Sequence, residues 1–226
     1  MRAFARVRAC LFDVNGVLLD SNLANARAMA EAFTDERQLQ ERIVPYYLQL
    51  TGIDRGAKIR LIQEQVVGVP FEAGEFALRW ERFKHLGRLT MLKAPLRPGC
   101  TEILATLGDR GIWRIALSNT PQEELTETLA AHGLDLLLER IQGGGDWPKA
   151  ESLRRLLDEL PFALDEYVFF GDGKGDLAAA RANGVAFVAI DAGTSEFLGE
   201  EGFAGPYRHL LAWGQEMLKS EHPESL

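Results

Sequence analysis

Six polar residues of this sequence carry side chains with complementary chemistry. They are Asp13, Asn15, Ser118, Lys149, Asp172 and Asp176. One carboxylate can act as a nucleophile, the others can bind a cation, and the hydroxyl, amide and ammonium groups can hold an anion. A phosphate monoester carries about two negative charges and repels an anionic nucleophile unless a metal ion and a cationic side chain neutralise it. The set therefore indicates phosphoryl transfer.

Short apolar runs precede most of these polar residues and are typical of buried strands. The runs are residues 7–12 before Asp13, 113–117 before Ser118 and Asn119, and 167–170 before Gly171 and Asp172. Because the carboxyl ends of parallel strands meet at one edge of a sheet, we expect these side chains to lie together. Gly16 supplies a turn after the first run, and Ser21 is placed to cap a helix that begins near Asn22.

Helical patterns alternate with these strands. Lys149 lies within the glycine-rich stretch GGGDWPKAES, which predicts a loop, just before a helix striped with leucines. Thr120, Pro121 and Glu123 predict a capping box at the start of another helix. The alternation favours an α/β fold with a Rossmann-like, doubly wound parallel sheet. Each polar feature alone is also typical of turns, helix caps or solvated surface.

Residues 22–90 contain several helical patterns and no strand pattern. Pro45 predicts a break in one of these helices, and Asp54 is placed to cap the next. We therefore predict an all-helical insertion at residues 21–90 within a catalytic core of residues 1–20 and 91–226.

Composition narrows the class of protein. The chain has 226 residues, of which 46% are hydrophobic and 26% charged, and its formal net charge is −8. Such a charge disfavours nucleic-acid binding, which needs a basic face. The two cysteines do not suggest a disulfide framework, and neither a signal peptide nor a membrane span is evident. We expect a cytoplasmic protein with no membrane partner, either a monomer or a dimer.

The polar features, taken in order over residues 7–190, resemble the four motifs of the haloacid dehalogenase superfamily. CLFDVNGVLLDS resembles the first motif, usually DxDGxxxDS, and FFGDGKGDLAAARANG resembles the fourth. The resemblance implies that Asp13 forms an aspartyl-phosphate and that Lys149 is the lysine of the third motif. It also implies that Ser118 binds the phosphoryl oxygens, assisted by backbone N–H groups near Gly16 and Asn119.

The resemblance further implies a Mg²⁺ cofactor and a small phosphorylated metabolite as substrate. Asp13, Asp172 and the Asn15 carbonyl would hold the metal, with Asp176 as a supporting carboxylate. The helical block is similar to the cap of the phosphoglycolate phosphatase and β-phosphoglucomutase branch. Within it, TGIDRGAKIR resembles the substrate-specificity loop, which makes Arg55 and Lys58 candidates for substrate binding.

Asn15 departs from the superfamily motif, which has Asp at this position. That Asp protonates the leaving oxygen and later activates water, whereas Asn can form hydrogen bonds but cannot transfer a proton. Three hypotheses remain open: a phosphatase with a substituted proton donor, a phosphonoacetaldehyde hydrolase-like or dehalogenase-like enzyme, and a binding protein for a phosphorylated ligand. We favour the phosphatase, because the flanking residues and the cap pattern are phosphatase-like. In a phosphonoacetaldehyde hydrolase-like enzyme, Lys58 would form a Schiff base.

Overall fold

The structure is a computed structural model and describes residues 6–50, 53–145, 147–191 and 196–221. Its strands are β1 (Ala9–Phe12), β2 (Trp113–Pro121), β3 (Arg140–Gly144), β4 (Tyr167–Gly171), β5 (Ala186–Ile190) and β6 (Ala204–Tyr207). They form one parallel sheet in the order β3-β2-β1-β4-β5-β6. This is the doubly wound order, so the predicted Rossmann-like fold class is confirmed.

Helices cover both faces of the sheet. They are α5 (Cys100–Asp109), α6 (Gln122–Ala131), α7 (Lys149–Glu159), α8 (Lys174–Ala182) and α9 (Leu210–Glu221). Cys10 and Phe12 of β1 belong to the core shared with α5, α6 and α9, whereas Ala9 and Leu11 belong to the core shared with α7 and α8. This alternation follows from the two-residue period of a strand. Among the described residues, no helix is both long enough and apolar enough to span a membrane.

In the described residues between β1 and α5, four α-helices and a short π-helix (Gln63–Val67) pack around a core of their own. The α-helices are α1 (Asn22–Phe33), α2 (Arg37–Gln49), α3 (Arg55–Ile62) and α4 (Ala73–Lys93), and we call them the helical segment. The predicted break at Pro45 is wrong, because α2 runs through this residue while Ile43 and Tyr47 on either side of it are buried. Packing of those neighbours offsets the lost backbone hydrogen bond. The predicted domain boundaries stay predictions.

Two linkers join the helical segment to the sheet, and they pair with each other. Leu19 and Leu96 form an antiparallel bridge. The Asp20 N–H donates to the Pro95 carbonyl and the Arg97 N–H to the Leu18 carbonyl, each at 2.8 Å. The chain therefore leaves and re-enters the core along a short two-stranded ribbon of residues 18–20 and 95–97.

The predicted end of β2 and the predicted capping box are wrong. β2 continues to Pro121, which pairs with Gly144 of β3, and Pro121 caps α6 without a side-chain hydrogen bond. The first two glycines of GGGDWPKAES, predicted as loop, lie in β3. A Cβ at Gly143 or Gly144 would overlap the backbone of Gln122 or Asn119, so the close approach of these segments requires glycine.

Candidate active site

The candidate site lies where the strand order reverses, at the carboxyl ends of β1 and β4. Asp13 directly follows β1, and its N–H donates to the Phe170 carbonyl of β4 at 2.8 Å. Asp172 directly follows β4, and Asp176 lies in the first turn of α8. Open α/β sheets place their ligands in the crevice at this switch point.

Three buried carboxylates share this edge with one ammonium group. One oxygen from each of Asp13, Asp172 and Asp176 lies within 4.8 Å of the others. Lys149, the first residue of α7, places Nζ 2.6 Å from Asp13 Oδ1 and 2.5 Å from Asp176 Oδ1. One ammonium cannot neutralise three carboxylates that are shielded from water, so the cluster favours a further cation.

The pKa values in this cluster follow from burial and crowding. Burial raises the pKa of Asp13 to about 6, against the opposing effect of Lys149. Burial, followed by the charges of Asp13 and Asp176, raises the pKa of Asp172 well above its usual range. Burial disfavours the charged form of Lys149, but its two carboxylate partners outweigh burial and raise its pKa. A bound divalent cation would relieve the repulsion and favour ionised carboxylates.

The donor set fits a hard divalent cation, because carboxylate oxygens are the ligands that such cations prefer. Gly16 lets Asp172 approach the turn after β1. Its φ is +85°, and a Cβ at this position would overlap the Asp172 carboxylate. Glycine is therefore required here both for the backbone conformation and for the space. The Asn15 backbone carbonyl stays a predicted ligand.

The side-chain amide of Asn15 is held by three polar neighbours. Its Oδ1 accepts hydrogen bonds from Ser21 Oγ at 2.6 Å and from Asn25 Nδ2 at 3.1 Å. Its Nδ2 donates to Thr120 Oγ1 at 3.5 Å. Ser21 does not cap α1 with its side chain as predicted, because its hydroxyl contacts Asn15 instead. The network orients the Asn15 amide with its donor side toward Thr120.

Ser118 and Thr120 lie on the last part of β2 and are both buried. Ser118 Oγ donates to Thr120 Oγ1 at 3.2 Å and accepts from the Thr120 N–H at the same distance. The continuation of β2 beyond its predicted end brings Thr120 beside Asn15. This position adds a second hydroxyl to the one that the sequence predicted.

The two cations predicted on α3 have different surroundings. Arg55 donates two hydrogen bonds of 2.7 Å to the carboxylate of Glu124 on α6, and its guanidinium lies 5.2 Å from the Phe83 ring centre. Lys58 Nζ lies 4.2 Å above the ring centre of Tyr47. Within the described chain, Lys58 pairs with no carboxylate. The charge of Arg55 is therefore compensated by the protein, and that of Lys58 is not.

One cleft of about 100 Å³ lies between the sheet edge and the helical segment. The structure brings nine of the ten predicted site residues to its walls: Asp13, Asn15, Arg55, Lys58, Ser118, Asn119, Lys149, Asp172 and Asp176. The tenth, Gly16, lies beside Asp172. Thus the predicted residues converge on one place.

Sequence reasoning missed four polar residues around the cleft. Asn22 Nδ2 donates to Asp172 Oδ2 at 2.6 Å, and Asn25, Thr120 and Glu124 make the contacts described above. Asn25 offered a signal, since it is a polar residue on the otherwise apolar, buried face of α1. Glu124 offered none, because an acidic residue in the first turn of a helix is expected from the helix dipole alone.

Comparisons with known proteins identify the family of this chain. A profile described as haloacid dehalogenase-like hydrolase matches residues 7–184. The chain belongs to the haloacid dehalogenase-like hydrolases. It is 30% identical to a phosphoglycolate phosphatase from Rhodospirillum rubrum over 200 residues, which cover 83% of this chain and 81% of that protein. It is 28% identical to a phosphoglycolate phosphatase from Haemophilus influenzae over 192 residues, covering 80% and 84% respectively.

The fold of this hydrolase also matches solved structures. The structure of a CbbY mutant from Rhodobacter sphaeroides in complex with xylulose-(1,5)bisphosphate has a TM-score of 0.71 at 23% identity. The similarity covers 92% of this chain and 96% of that one, and at this identity it shows a shared fold. The predicted resemblance to the haloacid dehalogenase superfamily and its phosphoglycolate phosphatase branch is confirmed. The chain is therefore an enzyme of the hydrolase class.

Proposed function

We propose that this hydrolase cleaves a small phosphate monoester, with Asp13 as the nucleophile. The observation that carries this proposal is the buried cluster of Asp13, Lys149, Asp172 and Asp176 at the switch point, facing a cleft. A carboxylate held between an ammonium group and other carboxylates suits attack on phosphorus when positive charge offsets the charge of the ester.

The proposed cofactor is Mg²⁺, held by Asp13, Asp172 and the Asn15 carbonyl, with Asp176 in support. When bound, the ion would supply positive charge that offsets the charge of the phosphoryl group. The donor chemistry fits this choice, because three carboxylates and one ammonium leave two negative charges uncompensated.

Two displacements at phosphorus would complete the reaction. In the first, an Asp13 carboxylate oxygen bonds to phosphorus, and the bond from phosphorus to the ester oxygen breaks. Ser118 and Lys149 hold the phosphoryl oxygens, and the Asn15 amide donates a hydrogen bond to the departing oxygen. In the second, water attacks phosphorus and the Asp13–phosphorus bond breaks, which releases phosphate and restores the carboxylate.

Besides its reacting phosphate, the proposed substrate carries a second anionic group that is smaller than a phosphate. The cleft is small, and Lys58 offers it a positive charge without a carboxylate partner, whereas Arg55 is paired with Glu124. The relatives from Rhodospirillum rubrum and Haemophilus influenzae described above are named phosphoglycolate phosphatases. We therefore propose phosphoglycolate, or a similarly small phosphorylated carboxylate, as substrate, and the helical segment as the cap that selects it.

A substrate screen tests the proposal. Phosphoglycolate and other phosphomonoesters should release phosphate with Mg²⁺ and not with EDTA, and Asp13→Asn should release none. Phosphonoacetaldehyde and 2-haloacids belong in the same screen. Borohydride trapping of phosphonoacetaldehyde at Lys58 would contradict the proposal and favour the Schiff-base hypothesis. Tight phosphoester binding without turnover, even after Asn15→Asp, would favour the binding protein.

A further inference from the structure

Among the residues that the structure describes, two arginine–glutamate pairs join the helical segment to α6, and they differ in their surroundings. Arg55 contacts Glu124 through two hydrogen bonds of 2.7 Å, and the two side chains are 13% and 8% exposed. Arg88 contacts Glu127 at 2.6 Å, with side chains 56% and 41% exposed. Only the first pair adjoins the cleft, where Arg55 is a wall residue. Its carboxylate can therefore influence a bound ligand.

The charges on the cap side of the cleft can be counted. Among the described residues that line it, the cations of the helical segment are Arg55 and Lys58. The carboxylate of Glu124 compensates the charge of Arg55 and leaves that of Lys58 uncompensated. Asp54, which precedes Arg55, is exposed, caps α3 and does not line the cleft. This wall therefore presents about one net positive charge to the part of a substrate that lies beyond the reacting phosphate.

We propose that Glu124 is a specificity-determining residue that acts through Arg55. By compensating the guanidinium, it matches the wall to a distal group with one negative charge, such as a carboxylate. A second phosphate would bring about two charges close to the Glu124 carboxylate and compete with it for the same guanidinium donors. The inference rests on the proposed function, whose substrate has two anionic groups.

Three phosphate esters with a two-carbon backbone test the proposal. 2-Hydroxyethyl phosphate has a neutral distal group, phosphoglycolate a carboxylate, and ethane-1,2-diol bisphosphate a second phosphate. In wild type, kcat/KM should be highest for phosphoglycolate. In Glu124→Gln, the ratio of bisphosphate to phosphoglycolate should rise by about tenfold or more, since Arg55 then lacks a charged partner. The value for 2-hydroxyethyl phosphate should change little.

Glu127→Gln is the matched control, because it alters the other pair on the same helix away from the cleft. It should leave the ratio unchanged. The double variant Arg55→Gln with Glu124→Gln removes both charges and should return the ratio toward that of wild type. Thermal unfolding of each variant checks that it folds. A ratio within about twofold of wild type in Glu124→Gln, or an equal shift in Glu127→Gln, would overturn the proposal.

Binding measurements separate this inference from the proposed function. Calorimetry of the three compounds without Mg²⁺ gives their relative affinities for wild type and variants in the absence of turnover. If no compound is hydrolysed with Mg²⁺, the proposed function fails, whereas the affinity ratios still support or overturn the role of Glu124. If all three are hydrolysed with ratios insensitive to Glu124→Gln, only the present inference fails.

Discussion

Ser21 donates its hydroxyl hydrogen to the side-chain oxygen of Asn15 over 2.6 Å, although Ser21 stands at the N-cap position of α1. A serine at this position normally accepts from the backbone of its own helix. Here its hydrogen bond orients a residue of the candidate site. Side chains at functional sites often do not follow local rules such as helix capping. Here the hydroxyl of Ser21 contacts Asn15, the residue at which the chain differs from the superfamily motif.

Asn15→Asp should raise turnover of alkyl phosphates by roughly 10²–10⁴-fold, the usual contribution of a positioned acid–base group. Turnover of p-nitrophenyl phosphate should rise less, because p-nitrophenolate departs without a proton. Steady-state kinetics on both substrates at saturating Mg²⁺ measures the difference. Wild type should also accumulate phosphorylated Asp13, since Asn15 cannot activate water, and mass spectrometry of the quenched enzyme would detect it. If neither rate changes by more than about threefold, another residue carries the proton.

Ser21→Ala should lower kcat on alkyl phosphates about three- to tenfold, because the Asn15 amide loses one of the two donors that fix its carbonyl oxygen. KM should change little, since Ser21 does not line the cleft. The effect should be smaller on p-nitrophenyl phosphate, whose leaving group needs little help from Asn15. Ser21→Thr keeps the hydroxyl and is the control. Equal losses on both substrates would point to a structural role alone.

Asp172→Ala should weaken Mg²⁺ binding by about 100-fold or more, because the variant lacks one of the carboxylates proposed to hold the ion. In EDTA its melting temperature should not fall, since the change also removes a buried carboxylate that burial and its neighbours disfavour. Isothermal titration calorimetry and thermal unfolding give the two values. Asp165→Ala, at an exposed ion pair with Arg6, is the control. Unaltered Mg²⁺ affinity in Asp172→Ala would refute the assignment.

Lys149→Met should lower the free energy of unfolding by about 3–5 kcal/mol at pH 8, because Asp13 and Asp176 lose their common cation. The loss should be smaller at pH 5, where the unpaired carboxylates take up protons and their repulsion falls. Urea unfolding in EDTA at the two pH values measures this difference. Lys174→Met, at an exposed lysine, should stay within about 0.5 kcal/mol of wild type. A loss independent of pH would exclude the electrostatic explanation.

The positions of residues that depend only on their neighbours in sequence could be predicted. Asp13 and Asp172 each follow a fully buried apolar run, so the position of each at the sheet edge could be inferred from its own neighbours. β3 was missed because its glycines have the composition of a loop. Their role is to admit the backbone of Gln122 and Asn119, which only the folded chain brings near.

The individual side-chain partners of residues in distant elements were not predictable, although the sheet edge that they share was. Arg55 and Glu124 are 69 residues apart, and no spacing rule connects a residue of α3 with one of α6. The position of Thr120 depended on how far β2 continues, which is decided by its pairing with β3. Both predicted cations lie in the wall of the cleft, and the difference in their charge compensation became evident only from their partners.

The hydrogen-bonded linkers at residues 18–20 and 95–97 have a consequence for protein engineering. Because the chain leaves and returns at neighbouring positions, the backbone of the core sets one condition on an inserted segment. The two ends of that segment must lie about one strand spacing apart, roughly 4.8 Å. A helical segment from another hydrolase, cut at the equivalent ribbon, can be grafted here provided that it keeps Ser21, Asn22 and Asn25, which contact Asn15 and Asp172. In a panel of such chimeras, substrate preference should follow the inserted helical segment, while every member keeps the same reactive centre.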